Sequence, residues 1–139
     1  MGKKVSEIMS KRVETLGVDA TLQDALKVMR EKSIRHLPVV EPGTVKLAGL
    51  ISDRDVKKFM SPFIGSQRET PQDKATLDIQ VNKVMVKNVI TVKPDDEVRS
   101  AIEKMLPKKI GCMPVVEADG RLVGIVTNID LIKLLLTLV

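Results

Sequence analysis

Aromatic side chains are almost missing from this chain: it has no Trp, no Tyr, and only Phe59 and Phe63. Proteins that hold single-stranded nucleic acid stack its bases on aromatic rings. The shortage therefore counts against that class, although Lys and Arg outnumber Asp and Glu by 23 to 18 and leave a net charge of +5. That excess is spread along the chain and favours anionic ligands without requiring nucleic acid. Cysteine occurs once, at Cys112, which excludes an intramolecular disulfide and a thiolate metal cluster. The single histidine, His36, excludes a paired-histidine metal site. There is no Gly-x4-Gly-Lys-Ser/Thr loop and no nucleophile beside a base, so no catalytic centre and no cofactor are expected. No apolar segment follows Met1-Gly2-Lys3-Lys4, and the longest apolar run, Leu134 to Val139, is too short to cross a bilayer. A cytoplasmic protein is expected.

What the chain does contain is a repeat. Laying Val5 on Val81 brings Met9, Val13, Thr15 and Asp19 onto Met85, Val89, Thr91 and Asp95. Further on, Ala25, Met29, Ile34 and Pro38-Val39-Val40-Glu41 fall on Ala101, Met105, Ile110 and Pro114-Val115-Val116-Glu117. After a one-residue slip, Gly49 and Asp55 fall on Gly124 and Asp130. Duplication explains such matching. We divide the chain into a first repeat over residues 1–60, a linker over 61–80, and a second repeat over 81–139.

Each copy reads as strand, helix, strand, strand, helix, an α+β order. Leu22, Ala25, Leu26 and Met29 lie on one helical face, started by a Thr21/Asp24 capping box. Val98, Ala101, Ile102 and Met105 repeat that spacing, with Asp95 or Asp96 expected as the N-cap and Pro107 expected to end the helix. The runs Leu37 to Val40 and Leu47 to Ile51, with their counterparts Met113 to Val116 and Leu122 to Val126, predict strands, and Asp119-Gly120 predicts a hairpin turn. A second helix begins after Ser52 and after Thr127. Short helical turns are expected around Ser6 to Met9 and Asn82 to Met85. The linker, with Pro62, Gly65 and Pro71, has no sustained period and reads as loop.

Ser33-Ile34-Arg35-His36-Leu37-Pro38-Val39-Val40 followed by Gly49-Leu50-Ile51-Ser52-Asp53-Arg54-Asp55 resembles the cystathionine β-synthase (CBS) domain. So does Ile110-Gly111-Cys112-Met113-Pro114-Val115-Val116 followed by Gly124-Ile125-Val126-Thr127-Asn128-Ile129-Asp130. The resemblance implies a Bateman module, two repeats packed about a pseudo-twofold axis with two clefts, and a regulatory ligand that is AMP, ADP or ATP. Gly-x-x-Ser/Thr-x-x-Asp marks a nucleotide site in that family, and both repeats carry it. Ser52 and Thr127 stand at strand-to-helix junctions where hydroxyls and free N–H groups can meet a phosphate. Asp55 and Asp130 can accept from two ribose hydroxyls. The resemblance also places Thr15, Val18, Ile34, Arg35, His36 and Pro38 around one base, and Thr91, Pro94, Ile110, Gly111, Met113 and Pro114 around the other. Arg54, Lys57 and Lys58 are available for additional phosphates, whereas the second copy offers only Lys133, with the neutral Asn128 and Ile129 at the matching positions, so the first site is expected to favour the more highly charged nucleotides.

Plainer readings stand beside these. Ser52-x-x-Asp55 and Thr127-x-x-Asp130 are also ordinary capping boxes. His36 either packs at a strand start or lines a cleft, and Cys112 is expected to be a small buried side chain. The apolar end from Leu131 to Val139 either covers the sheet or meets a second copy, with a homodimer as the consequence. The functional expectation is a nucleotide-sensing module that signals to a separate effector protein. The alternative is a protein-interaction or nucleic-acid-binding scaffold without nucleotide.

Overall fold

Helix α2 (Leu22–Lys32) begins where the capping pattern predicts. The Asp24 N–H donates to Thr21 Oγ1 at 3.2 Å and the Thr21 N–H to Asp24 Oδ2 at 2.9 Å, pairing two groups that a helix start leaves open. Its Leu22, Ala25 and Met29 are buried, as one face of a 3.6-residue period requires. The matching α5 (Val98–Lys108) buries Val98, Ala101 and Met105.

Both ends of α5 differ from expectation. Its N-cap is Glu97, with no side-chain bond, because the Asp96 carboxylate instead takes the Lys93 N–H at 2.9 Å in the preceding turn. Pro107 does not end the helix but lies within its last turn. The helix stops two residues later, at Lys109. There, as at Ser33 after α2, the backbone is left-handed with φ of 54°. The reversal is closed by Ile34 N–H to Met29 O at 3.0 Å and by Ile110 N–H to Met105 O at 3.2 Å.

The computed structural model describes residues 2–139. A three-stranded sheet is ordered β1 (Leu16–Gly17), β2 (His36–Val40), β3 (Leu47–Ser52), with β1 parallel to β2 and Leu16 opposite Val39. In the second sheet β4 (Cys112–Val116) runs antiparallel to β5 (Leu122–Thr127), with Met113 opposite Val126. The expected third strand there shrinks to a single parallel bridge, Val92 to Val115. Pro94 stands two residues on, and without an N–H it cannot extend the ladder.

The packing units do not follow the repeats. One consists of the segment up to Val13, Val45–Leu47 and Val89–Val139, and the other of Glu14–Thr44 and Ala48–Asn88. Helix α1 (Val5–Ile8) thus packs with the second copy's strands: Val5 shares a core with Val92, Ala101, Met105, Met113, Val115 and Val126. Conversely Val81, at the start of a 3-10 turn (Val81–Lys83), shares a core with Leu16, Leu22, Leu37, Val39, Ile51 and Val56. Each fully buried aliphatic side chain in these cores contributes roughly 1.5–3 kcal/mol.

The segment 61–80, read as loop, holds α4 (Pro71–Ala75) and a 3-10 turn (Thr76–Asp78). Its helix signal is brief: proline at the first helical position behind a Thr70/Asp73 capping box. Asp73 Oδ2 accepts from the Thr70 N–H at 2.7 Å, and Oδ1 from the Ser61 hydroxyl at 2.7 Å. The Ser61 bond chiefly holds the Asp73 carboxyl below its usual range.

Helices α3 (Asp53–Phe59) and α6 (Asn128–Leu138) follow β3 and β5. Leu131 packs on the second core, whereas Ile129, Ile132, Leu135, Leu136 and Leu138 are exposed. The apolar end therefore covers its own sheet only in part. No helix among the described residues is long and apolar enough to cross a membrane.

Candidate functional site

Each unit carries one complete copy of the motif at a strand-to-helix junction. At the β3–α3 junction, Ser52 is the N-cap of α3. Asp55 Oδ2 accepts from the Ser52 N–H at 2.9 Å and from its hydroxyl at 3.0 Å, and the Asp55 N–H donates to Ser52 Oγ at 3.2 Å. Asp55 Oδ1 takes no hydrogen bond among the described residues. At the β5–α6 junction, Asp130 Oδ2 likewise accepts from the Thr127 N–H at 2.9 Å and from its hydroxyl at 3.3 Å. The capping reading of both motifs is thus realised, and it leaves one carboxylate oxygen of each aspartate turned away from the cap.

The turn after α2 delivers Ile34, Arg35 and His36 to the head of α3, where the Asp53 N–H donates to Arg35 O at 2.9 Å. Its counterpart in the other unit is Asn128 N–H to Gly111 O at 3.0 Å. A β-carbon at Gly111 would lie 3.6 Å from the Asn128 amide nitrogen, so that loop sits directly on the helix head. These bonds correct the expectation of an open row of backbone donors. The first N–H of each helix is already bonded to the neighbouring loop, so an anion there would meet side chains and the remaining donors.

His36 is half-buried at the start of β2. Burial lowers the affinity of its imidazole for a proton, Asp53 and Asp55 oppose that, and Arg35 adds to it. Cys112, at the matching place in β4, is buried as expected, and desolvation, aided by the Asp130 charge, pushes its thiol up to about 12. It is no nucleophile at neutral pH.

The other expected residues are unequally placed. Thr15 is exposed beside β1, and half-buried Thr91 stands just before the Val92 bridge, its carbonyl taken by Lys104 Nζ at 3.1 Å. Val18 and Pro94 are half-buried, and their carbonyls accept from Asn82 Nδ2 at 2.6 Å and from the Ser6 N–H at 3.0 Å. Ile34 and Ile110 are half-buried and Arg35 is exposed. Pro38 and Met113 are wholly buried and Pro114 is buried. Contrary to expectation, Pro38 and Met113 present no surface to a ligand: Met113 belongs to the second core, and Pro38 lies on a strand buried along its length from Leu37 to Val40. Arg54 is exposed on the first turn of α3, and Lys57 lies 3.9 Å from Asp53, which offsets part of the positive charge expected there.

One polar residue near the second motif escaped the sequence reading. Ser10, in the stretch after α1, bridges Ile125 of β5 through N–H to O at 2.9 Å and O to N–H at 3.0 Å. Its hydroxyl lies 3.5 Å from Asp130 Oδ1. No spacing signal joins residues so distant in sequence. Elsewhere, a depression of about 430 Å³ lined by Gln23, Pro71, Lys74, Ala75, Leu77 and Asp78 includes no motif residue. Among the described residues no group of His, Cys, Asp and Glu could hold a metal ion.

Comparison with known proteins agrees with the motif. The CBS domain family matches residues 5–62 and 81–137. A CBS domain-containing protein of Dictyostelium discoideum is 37% identical over 133 residues, 95% of this chain and 90% of its own. The chain spans only 24% of the homoserine O-acetyltransferase of Methanohalobium evestigatum, with 34% identity over 131 residues. Among solved structures, the CBS domain pair of protein MJ0100, in complex with 5′-methylthioadenosine and S-adenosyl-L-methionine, superposes with a TM-score of 0.78 at 30% identity, covering 97% of each chain. CBSX2 in complex with AMP superposes with a TM-score of 0.82 at 27% identity, covering 99% of this chain and 98% of its own.

Proposed function

The chain belongs to the CBS domain family, and on that footing we propose that it is a regulatory module binding adenine nucleotides, one at each strand-to-helix motif. The observation that carries this reading is the recurrence, in both units, of a Ser/Thr-capped helix whose aspartate keeps one carboxylate oxygen outside the cap, with an isoleucine-led loop fastened to its head. A nucleoside fits these parts. The aspartate accepts ribose hydroxyls, the loop residues Ile34–His36 and Ile110–Cys112 flank the base, and the hydroxyls of Ser52 and Thr127 face the phosphate. The ligands of the two similar structures, AMP in one and 5′-methylthioadenosine with S-adenosyl-L-methionine in the other, share adenine and a ribose with 2′ and 3′ hydroxyls.

The module performs no reaction of its own. Ligand binding biases its conformation, and a partner protein reads the change. The exposed apolar face of α6 supports self-association as a homodimer.

Calorimetric titration of AMP, ADP, ATP and S-adenosylmethionine into the protein tests the proposal, with Asp55→Asn and Asp130→Asn as separate variants. Saturable binding that each variant removes at one of two sites supports it. Absence of binding by the wild type returns both motifs to plain helix caps and favours a protein-interaction scaffold.

A further inference from the structure

The two motifs are alike in backbone and unlike in one hydroxyl. Ser10 and Val86 occupy the same place in the two repeats, and each crosses the strand that leads into the cap, β5 or β3, with the same pair of bonds. Ser10 donates its N–H to Ile125 O at 2.9 Å and accepts from the Ile125 N–H at 3.0 Å, and Val86 does so with Leu50 at the same 2.9 and 3.0 Å. Both residues are exposed. Ser10, however, brings its hydroxyl to 3.5 Å from Asp130 Oδ1, while Val86 has none to bring to Asp55. At that length the contact is at the outer limit of a hydrogen bond. The single O–H of Ser10 is therefore only loosely engaged and free to turn to a ligand, held by a fixed backbone beside the oxygen outside the Thr127 cap.

From this we infer that Ser10 is a specificity-determining residue of the second site, donating to the ligand hydroxyl that Asp130 Oδ1 accepts. The inference rests on the nucleotide reading above. A ribose hydroxyl that donates to Oδ1 keeps its own lone pairs, and Ser10 is placed to fill one of them. The second site thus recognises that hydroxyl as both donor and acceptor. The first site recognises it as donor only. A ligand lacking the hydroxyl forms neither bond and leaves Ser10 only its long contact with Oδ1, whereas at the first site it forgoes one bond, so the second site discriminates against deoxyribose more steeply than the first.

The test uses the Asp55→Asn protein, in which only the second site remains, and compares Ser10→Ala with Ser10 for AMP, 2′-deoxy-AMP and 3′-deoxy-AMP. Loss of one neutral hydrogen bond predicts AMP weakened by roughly 2- to 10-fold, with no loss for whichever deoxy analogue lacks the hydroxyl that Ser10 meets. In the Asp130→Asn protein, Val86→Ser is expected to tighten AMP at the first site and to leave the same analogue unchanged. AMP binding indifferent to Ser10→Ala, or an equal loss for AMP and both analogues, overturns the assignment alone. Failure of the wild type to bind AMP overturns the nucleotide reading and the assignment with it.

Discussion

Met9 crosses Gly124 so closely that a β-carbon at Gly124 would stand 2.5 Å from the Met9 sulfur and 3.0 Å from the Ser10 carbonyl oxygen. Met85 and Val86 cross Gly49 in the same way, with 2.5 Å to the sulfur and 2.8 Å to the Val86 carbonyl oxygen. The first glycine of each Gly-x-x-Ser/Thr-x-x-Asp motif is thus the place where another stretch of backbone passes, and it holds Ser10 or Val86 in register with the strand that ends in the cap.

Alanine at either glycine forces that crossing stretch outward. Gly124→Ala and Gly49→Ala are each expected to cost about 1–3 kcal/mol, as overpacking does. Gly49→Ala is expected to cost more, because the β-carbon would stand 2.8 Å from the Val86 carbonyl oxygen against 3.0 Å from that of Ser10, and neither backbone group can rotate away. Urea unfolding measures both, and wild-type stability in either variant contradicts the crossing geometry.

His36 links stability to pH. Burial keeps its imidazole below the ordinary value of 6.5, so between the two values the unfolded chain binds more protons than the folded one. Its contribution is complete above about pH 6.5 and is lost as pH falls through the folded-state value. His36→Gln is expected to flatten the decline in the urea midpoint between pH 7.5 and 5.5, and an identical decline in the variant rules the linkage out.

The two left-handed residues invite relief. A side chain in that conformation costs about 1–2 kcal/mol, of which the extra freedom of glycine in the unfolded chain returns about 0.4–1 kcal/mol. Lys109→Gly is therefore expected to raise stability by about 0.5–1 kcal/mol in thermal unfolding. Lys109→Ala, which keeps the β-carbon, is expected to give no such gain, and a gain from alanine equal to that from glycine shows that the backbone is not the cause.

Local signals were legible wherever they act over a few residues. Thr21 with Asp24 predicted the start of α2, and Ser52 and Thr127 predicted the heads of α3 and α6. The same kind of signal failed at Asp96, whose carboxylate went to a turn, and was passed over at Thr70-Pro71, where the helix is too short to show a period. Burial of Pro38 and Met113 was not readable from family resemblance, which aligns positions without saying which way a side chain faces.

By itself the sequence determined the duplication, the order of elements within each copy and the two capped motifs, because periodicity and capping depend on neighbours a few residues apart. Only the tertiary structure decided that the opening stretch of each repeat packs with the strands of the other, and so that Ser10 stands beside Asp130 and Val86 beside Leu50. Pairing of that kind is chosen by which apolar face and which crossing strand fit together, a property of the folded chain that no local spacing records.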